Sequence, residues 1–501
     1  MAMPSTAHTH GPLELAGTSG YRQRDPVKTA VWQAVHEHWE DYRAEVARNH
    51  DGRGLPGFVE TAATKFLGCG LHSSGFARFR CRGCGHDLLV PFSCKQRGIC
   101  SSCDGRRMAE QAAHLVDSIF PRVATRQWVL TWPHWLRFRL AFDADLISGV
   151  LTVWVKTIES WYRKQAREEW EVADGKCASV SVVQKFGDAL TLNPHIHSIF
   201  CEGVWHDPDG NDTPVFLPLR GPTDAEVLQI AMDARRRTLR WLVRKGVVQP
   251  GEDFDEDESA LAEDDPVRAW CTKAAILDRI AVGKNAGQLV ARLRDDPVEP
   301  KKMGRRCAVA DGFNVHANVR IGPLAKDHLE RLCRYILRPA LCNARLERLP
   351  DGRILARLKR RWSDGTWAKL FEPVDFLSKV SALIPQPGRN LLRYHGQFAP
   401  QGRWRDQVVI APGKRKKACC AGASEEEKRK RLSWAQLLKR VFLMDLLECE
   451  KCGGRRELIA VIEERNTVTK ILDHVGIPST PPRFEPARSP PEEQWLDDSW
   501  A

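Results

Sequence analysis

The sequence predicts an α+β protein: a central antiparallel or mixed sheet with helices on one side, preceded by a small zinc-ribbon domain. Three observations lead there. Runs suited to strands at 126–132, 179–186 and 191–200 fall among segments of helical periodicity at 146–167 and 223–245. A turn signal at Gly187-Asp188 joins the second and third strands as a hairpin. Upstream, two cysteine pairs, Cys81-Arg-Gly-Cys84 and Cys100-Ser-Ser-Cys103, bracket a ribbon-like stretch with Leu88, Leu89, Val90 and Phe92.

Composition narrows the possibilities. A chain of 501 residues is too long for one hydrophobic core, and 43% hydrophobic residues allow several. The net charge of +12 favours a polyanionic partner, nucleic acid before membrane, although a merely basic surface gives the same number. Sixteen cysteines and no signal peptide point to a reducing compartment, where clustered thiols bind metal more often than they form disulfides. The best apolar stretch, 128–142, is broken by Arg137 and Arg139, so no membrane span is expected. There is no phosphate-cradling glycine loop and hence no expected nucleotide cofactor.

Taken in order, residues 1–22 read as a disordered tail, and 23–125 as a helix (25–48) plus a zinc-binding domain. Fifteen residues separate the two knuckles. That spacing suits one closed tetrahedral zinc site made of Cys81, Cys84, Cys100 and Cys103. Cys69 and Cys94 belong to a second site or to the core. Arginines around the cluster suit either phosphate contacts or a solvated rim.

The catalytic candidates lie in 126–345, which carries an acidic insertion near 251–266 with nine Asp or Glu residues. On the strand 191–200, His195 and His197 share one face, roughly 7 Å apart at the backbone. Two imidazoles on one face can grip a metal ion; two ordinary strand histidines fit the pattern equally. Gln184, on the preceding strand, is the candidate third ligand, with a structural amide as the alternative. His316 and Asn318 share a face of a further expected strand, 311–321. The segment 326–338 predicts a helix stopped by Pro339, with Leu329, Leu332, Cys333, Ile336 and Leu337 as its apolar stripe. Tyr335 lies off that stripe, among Arg331, Arg334 and Arg338. A half-buried packing tyrosine is the plain reading. A phenol among guanidiniums that bind a phosphodiester is the catalytic one.

Downstream, 346–410 reads as a β-rich accessory region with turns at Asp351-Gly352 and Asp364-Gly365 and a basic Lys359-Arg360-Arg361 run. Residues 411–432 form a charged linker, and 433–501 a helical segment and a disordered tail. Within the latter, Cys449-Glu-Lys-Cys452 is half a zinc knuckle without a local second pair; Cys419, Cys420 and His474 are its nearest candidates for completion.

Together, His195-Ile-His197 after a strand, Arg334-Tyr335-Ile-Leu-Arg338-Pro339 in a later helix and Phe92-Ser-Cys-Lys-Gln-Arg-Gly-Ile-Cys-Ser-Ser-Cys103 upstream resemble the HUH-type rolling-circle transposases of the insertion-sequence ninety-one group. Gly312-Phe-Asn-Val-His-Ala-Asn318 and Arg393-Tyr-His-Gly-Gln-Phe-Ala-Pro400 extend the likeness, which runs from about 69 to 405. The resemblance implies a HUH endonuclease-like fold, His195 and His197 holding Mg2+ or Mn2+, and Tyr335 attacking DNA. It further implies single-stranded DNA as the partner, Arg331, Arg334 and Arg338 as DNA contacts, structural zinc, and a bacterial, nucleoid-associated cytoplasmic location. Two features depart from the family pattern. Pro339 stands where some members have a second tyrosine, and no helical third ligand follows Tyr335. The competing expectations are a zinc-ribbon DNA-binding protein without chemistry and a metallohydrolase using water.

Overall fold

The computed structural model describes residues 24–188, 190–248, 263, 265–299, 304–410 and 446–488. The N-terminal tail, nearly all of the acidic insertion, the charged linker and the end of the C-terminal tail lie outside them. So do Cys419, Cys420 and most of the helix expected after 433. The chain divides into two compact units, each drawn from separate stretches: 1–26, 69–93 and 418–481 in the first; 27–68, 94–417 and 482–501 in the second.

In chain order the helices are α1 (Ala30–Asn49), α2 (Gly57–Leu67), α3 (Ser101–His114), α4 (His134–Phe142), α5 (Ala144–Trp170), α6 (Asp224–Arg244), α7 (Pro266–Ile276), α8 (Lys326–Ile336), α9 (Pro373–Leu383), α10 (Arg405–Val408) and α11 (Arg465–Val475). None of the described helices is long and apolar enough to cross a membrane.

The first unit is built on a three-stranded antiparallel sheet. Strand β1 (Phe76–Cys81) lies between β2 (Asp87–Pro91) and a strand from near the other end of the chain, Arg456–Ile462. Phe76 and Ile462 pack against Val468 and Leu472 of α11. The Glu464 side chain accepts the first N–H groups of that helix, from Asn466 and Thr467.

The second unit carries the central sheet, which is antiparallel throughout. Its strands are β3 (Thr125–Thr131), β4 (Ala178–Phe186), β5 (Leu192–Cys201), β9 (Cys307–Ala310), β10 (Phe313–His316), β11 (Arg320–Ile321) and β15 (Leu392–Gly396). The spatial order is β15-β4-β5-β3-β10-β9, with β11 also paired to β3. The expected 311–321 strand is thus two short ones, interrupted at 317–319.

Helices cover both faces of this sheet, not one. Alternation on the strands explains why: Trp128, Leu130, Val183, Ile196 and Phe200 join the core formed with α5 and α6, whereas Val180, Val182, Ile199 and Cys201 pack with Leu329, Leu332, Cys333 and Ile336 of α8. Because β5 is apolar on both sides, it can sit only in the middle of the sheet. A capping box of Thr223 and Glu226 starts α6, and Asp143 caps α5. The two helices approach so closely that a Cβ at Gly149 would lie 2.0 Å from the Trp241 ring. Gly149→Ala is therefore expected to cost about 1–3 kcal/mol, read as a lowered Tm.

A charged cluster is buried at the end of β5. Glu202, just beyond β5, accepts from Arg126 Nε at 2.7 Å and also pairs with Arg320. Glu202 and Arg126 are almost wholly buried. Removing the carboxylate in Glu202→Ala would strand Arg126 without its counter-ion. A loss of about 3–5 kcal/mol in chemical denaturation is expected.

A two-stranded hairpin pairs β6 (Gly203–His206) with β7 (Val215–Pro218), and a second antiparallel sheet contains β8 (Ala291–Arg294), β12 (Leu346–Arg348), β13 (Ile354–Arg357) and β14 (Thr366–Phe371), in the order β12-β13-β14-β8. Its turns fall at the expected glycines. Lys369 of β14 is fully buried and donates to Asp278 (2.6 Å) and to Thr191 (2.8 Å) just before β5. Asp188, in the turn before β5, accepts from Arg345 and from the Lys359 backbone N–H. These contacts fix the basic 359–361 run beside the histidine strand.

Candidate active site

The register of the sheet sets the site. His195 pairs with Gln184 of β4 and Thr131 of β3, and His197 with Val182 and Val129. Directly paired residues share a face, so both histidines and Gln184 look toward the side covered by α8. The imidazole centroids are 4.9 Å apart. Tyr335, on α8, sets its ring 5.8 Å from that of His197, with the planes at 82°. Sequence left open whether the phenol and the imidazoles meet; the structure brings them together. The apolar stripe of α8 is seated on β4 and β5, which leaves Tyr335 at the rim and 41% exposed.

The histidines are deeply buried, and burial holds His195 down at about 4 and His197 well below the ordinary imidazole value. Both rings are therefore neutral near pH 7, the state that binds metal. His195 Nδ1 donates to the carbonyl of Asn193 at 2.7 Å, which reserves Nε2 as a lone-pair donor. His197 Nδ1 lies 2.8 Å from Gln127 Nε2, and its own Nε2 is buried without a hydrogen-bond partner. As placed, the Gln127 NH2 donates to Nδ1; turning the amide over would bring its oxygen there to accept an Nδ1–H and leave the Nε2 lone pair free.

Gln184 spans the two elements. Its Nε2 donates to the carbonyl of Ile336 at 2.5 Å, tying β4 to the end of α8, while its Oε1 is buried with no partner. The amide is thus structural at one end and an available oxygen donor at the other. Two neutral nitrogens and an unpartnered amide oxygen are a donor set that fits a divalent ion of intermediate hardness. Among the described residues, no group of three His, Cys, Asp or Glu ligands includes His195 or His197.

Cations surround the phenol unequally. The Arg338 guanidinium lies 4.6 Å from the Tyr335 ring centroid, and Lys359 Nζ lies 5.1 Å from it. Arg334 is paired with Glu330 one turn back at 2.7 Å, and Arg331 is exposed, its Nε 3.4 Å from the Asp327 carbonyl. Of the three arginines singled out in sequence, Arg338 is the one at the ring. His316 is half-buried; it pairs with Val129, itself the partner of His197. Gln127 escaped the sequence reading. Its one signal is a polar side chain in strand 125–131, on the face opposite Trp128 and Leu130.

The cysteines group differently from the single expected site. In the first unit the partners of Cys81 and Cys84 are Cys449 and Cys452, not Cys100 and Cys103. Cys69 is buried there, its sulfur 3.6 Å from the Arg24 guanidinium. In the second unit Cys94, Cys100 and Cys103 come together, with Cys94 and Cys103 sulfurs 3.6 Å apart. Cys100 and Cys103 lie at the start of α3 rather than in a ribbon turn. Spacing alone misled, because each two-residue knuckle supplies half a tetrahedron and carries no mark of its partner.

Comparison with known protein families gives two matches. Residues 34–132 match the family described as "Transposase zinc-binding domain". Residues 178–405, which contain Gln184, His195, His197 and Tyr335, match the family described as "Putative transposase". No curated protein and no solved structure shows significant similarity to the chain. A zinc-binding domain followed by a transposase domain is the order in which the two families match, and it agrees with the insertion-sequence ninety-one (IS91) type of transposase.

Proposed function

We propose that this transposase cuts and rejoins single-stranded DNA through a covalent link between Tyr335 and a DNA phosphate. The observation that carries the reading is the exposed Tyr335 ring resting against a buried, neutral His197. A divalent ion, Mg2+ or Mn2+, held by His195, His197 and Gln184 Oε1 would supply Lewis acidity toward a non-bridging phosphate oxygen.

The chain's own residues do the rest. Arg338 and Lys359, 4.6 Å and 5.1 Å from the ring centroid, hold the phosphodiester by charge as the phenolic proton leaves to solvent. Tyr335 Oη attacks phosphorus, the P–O3′ bond breaks, and the 3′-oxygen takes a proton from solvent and departs as a hydroxyl while the 5′-phosphate stays on the tyrosine. Attack by a 3′-hydroxyl reverses the step and releases Tyr335. Each step exchanges one phosphodiester for another, so no nucleotide energy source is needed. A duplex would hold its phosphates away from a ring seated between α8 and the 359–361 run, which favours an unpaired strand.

Full-length protein incubated with end-labelled single-stranded DNA and Mn2+ should give a protein–DNA adduct on a denaturing gel. Cleaved DNA without an adduct would replace this reading with a metallohydrolase, and DNA that is bound but never cut would leave a non-catalytic binding protein. Gln127 enters as a positioning residue. Gln127→Leu should weaken Mn2+ binding about 10–100-fold, with adduct formation restored by raising Mn2+. A loss that excess Mn2+ does not restore would show that Gln127 serves folding alone.

A further inference from the structure

The Cys449-Cys452 knuckle lies beyond both matched segments, and its four-sulfur partnership with Cys81 and Cys84 joins residues 365 and 371 positions apart. The Cys81 and Cys452 sulfurs are 3.5 Å apart, the Cys84 and Cys449 sulfurs 3.6 Å, and all four lie within 4.8 Å of one another. A zinc ion with bonds of 2.3 Å to four tetrahedral sulfurs would set them about 3.8 Å apart. A disulfide would need about 2.05 Å.

The backbones around the sulfurs match each other. The N–H of Cys81 donates to the carbonyl of His86, and that of Cys449 to Gly454, each five residues on. The carbonyls of Cys81 and Cys449 accept from Gly85 and Gly453, each four residues on. Both glycines have positive φ, +72° and +68°. The amides of Gly83 and Cys84 point to the Cys81 sulfur, and those of Lys451 and Cys452 to the Cys449 sulfur. Donors aimed at sulfur stabilise thiolates, the form zinc takes. Gly454 closes the arrangement: a Cβ there would lie 3.1 Å from the Cys452 sulfur and 3.2 Å from that of Cys81. Beside the knuckles, β1 pairs with Arg456–Ile462 from Cys81↔Arg456 onward, so the same two segments are already joined as strands.

We propose that Cys81, Cys84, Cys449 and Cys452 bind one structural zinc ion, and that the ribbon is completed only by the C-terminal segment. This does not depend on the catalytic reading of Tyr335.

The test is metal content of the purified full chain by mass spectrometry. Cys81→Ser/Cys84→Ser and Cys449→Ser/Cys452→Ser should each lose one zinc per chain relative to wild type, and the quadruple variant should lose no more than either double. Wild-type zinc in the Cys449→Ser/Cys452→Ser variant, or two ions lost in the quadruple, overturns the assignment. Cys452→His separates loss of the ion from loss of fold. Loaded with Co2+, it should keep its metal while the tetrahedral d–d bands shift as one sulfur becomes nitrogen. An unchanged spectrum would place Cys452 outside the site.

Discussion

Tyr335→Phe is expected to abolish the covalent DNA adduct while leaving the protein folded. The ring is 41% exposed at the rim of α8, and its packing against His197 uses carbon atoms that phenylalanine keeps. Stability should therefore change by no more than about 0.5 kcal/mol. Binding of single-stranded DNA should stay within about twofold, because the cations at the site, Arg338 and Lys359, are untouched. Cleavage is another matter: in the proposed mechanism the hydroxyl oxygen is the atom that attacks phosphorus. Loss of a nucleophile costs on the order of 10^4-fold or more. Time courses on a denaturing gel, beside a thermal melt of the same preparation, measure both. Wild-type cleavage in the phenylalanine variant would remove Tyr335 from the reaction.

The paired change His195→Ala/His197→Ala should be nearly as severe, for a different reason. These rings are the nitrogen donors of the candidate metal site, and burial keeps them unprotonated. If the ion contributes about 4 kcal/mol to the transition state, its loss slows adduct formation about 10^3-fold. The same change strands the Gln127 amide and empties volume under α8, so a stability loss of about 1–3 kcal/mol should accompany it. The Mn2+ dependence distinguishes the two effects. Wild type should saturate with Mn2+, and the double variant should show a flat, low rate at every concentration. An adduct formed at the wild-type rate in limiting Mn2+ would end the assignment of these histidines.

How much of this was legible beforehand depended on the range of the forces involved. Strand 192–201 could be read because its alternation is a property of neighbouring residues, and the same holds for the apolar stripe of α8 and the turns at Gly352 and Gly365. The Tyr335–His197 contact spans 138 positions and follows from how an amphipathic helix chooses a sheet face, which periodicity does not encode. Gln127 stayed hidden because a single polar residue on a strand gains meaning only from the side chain across from it. Helices on both faces, where one was expected, trace to β4 and β5, whose two sides are each apolar enough to need cover.

By itself, the sequence determined the local chemistry: two imidazoles on one strand face, a phenol off the buried stripe of its helix, and thiols in pairs poised for metal. Tertiary structure alone decided the partnerships. It seated the phenol over one imidazole, put Lys359 rather than Arg331 beside the ring, and matched Cys81 and Cys84 to thiols from near the far end of the chain. The physical reason is that side-chain direction is set within a few residues, whereas burial of apolar area selects among surfaces without regard to their distance along the chain.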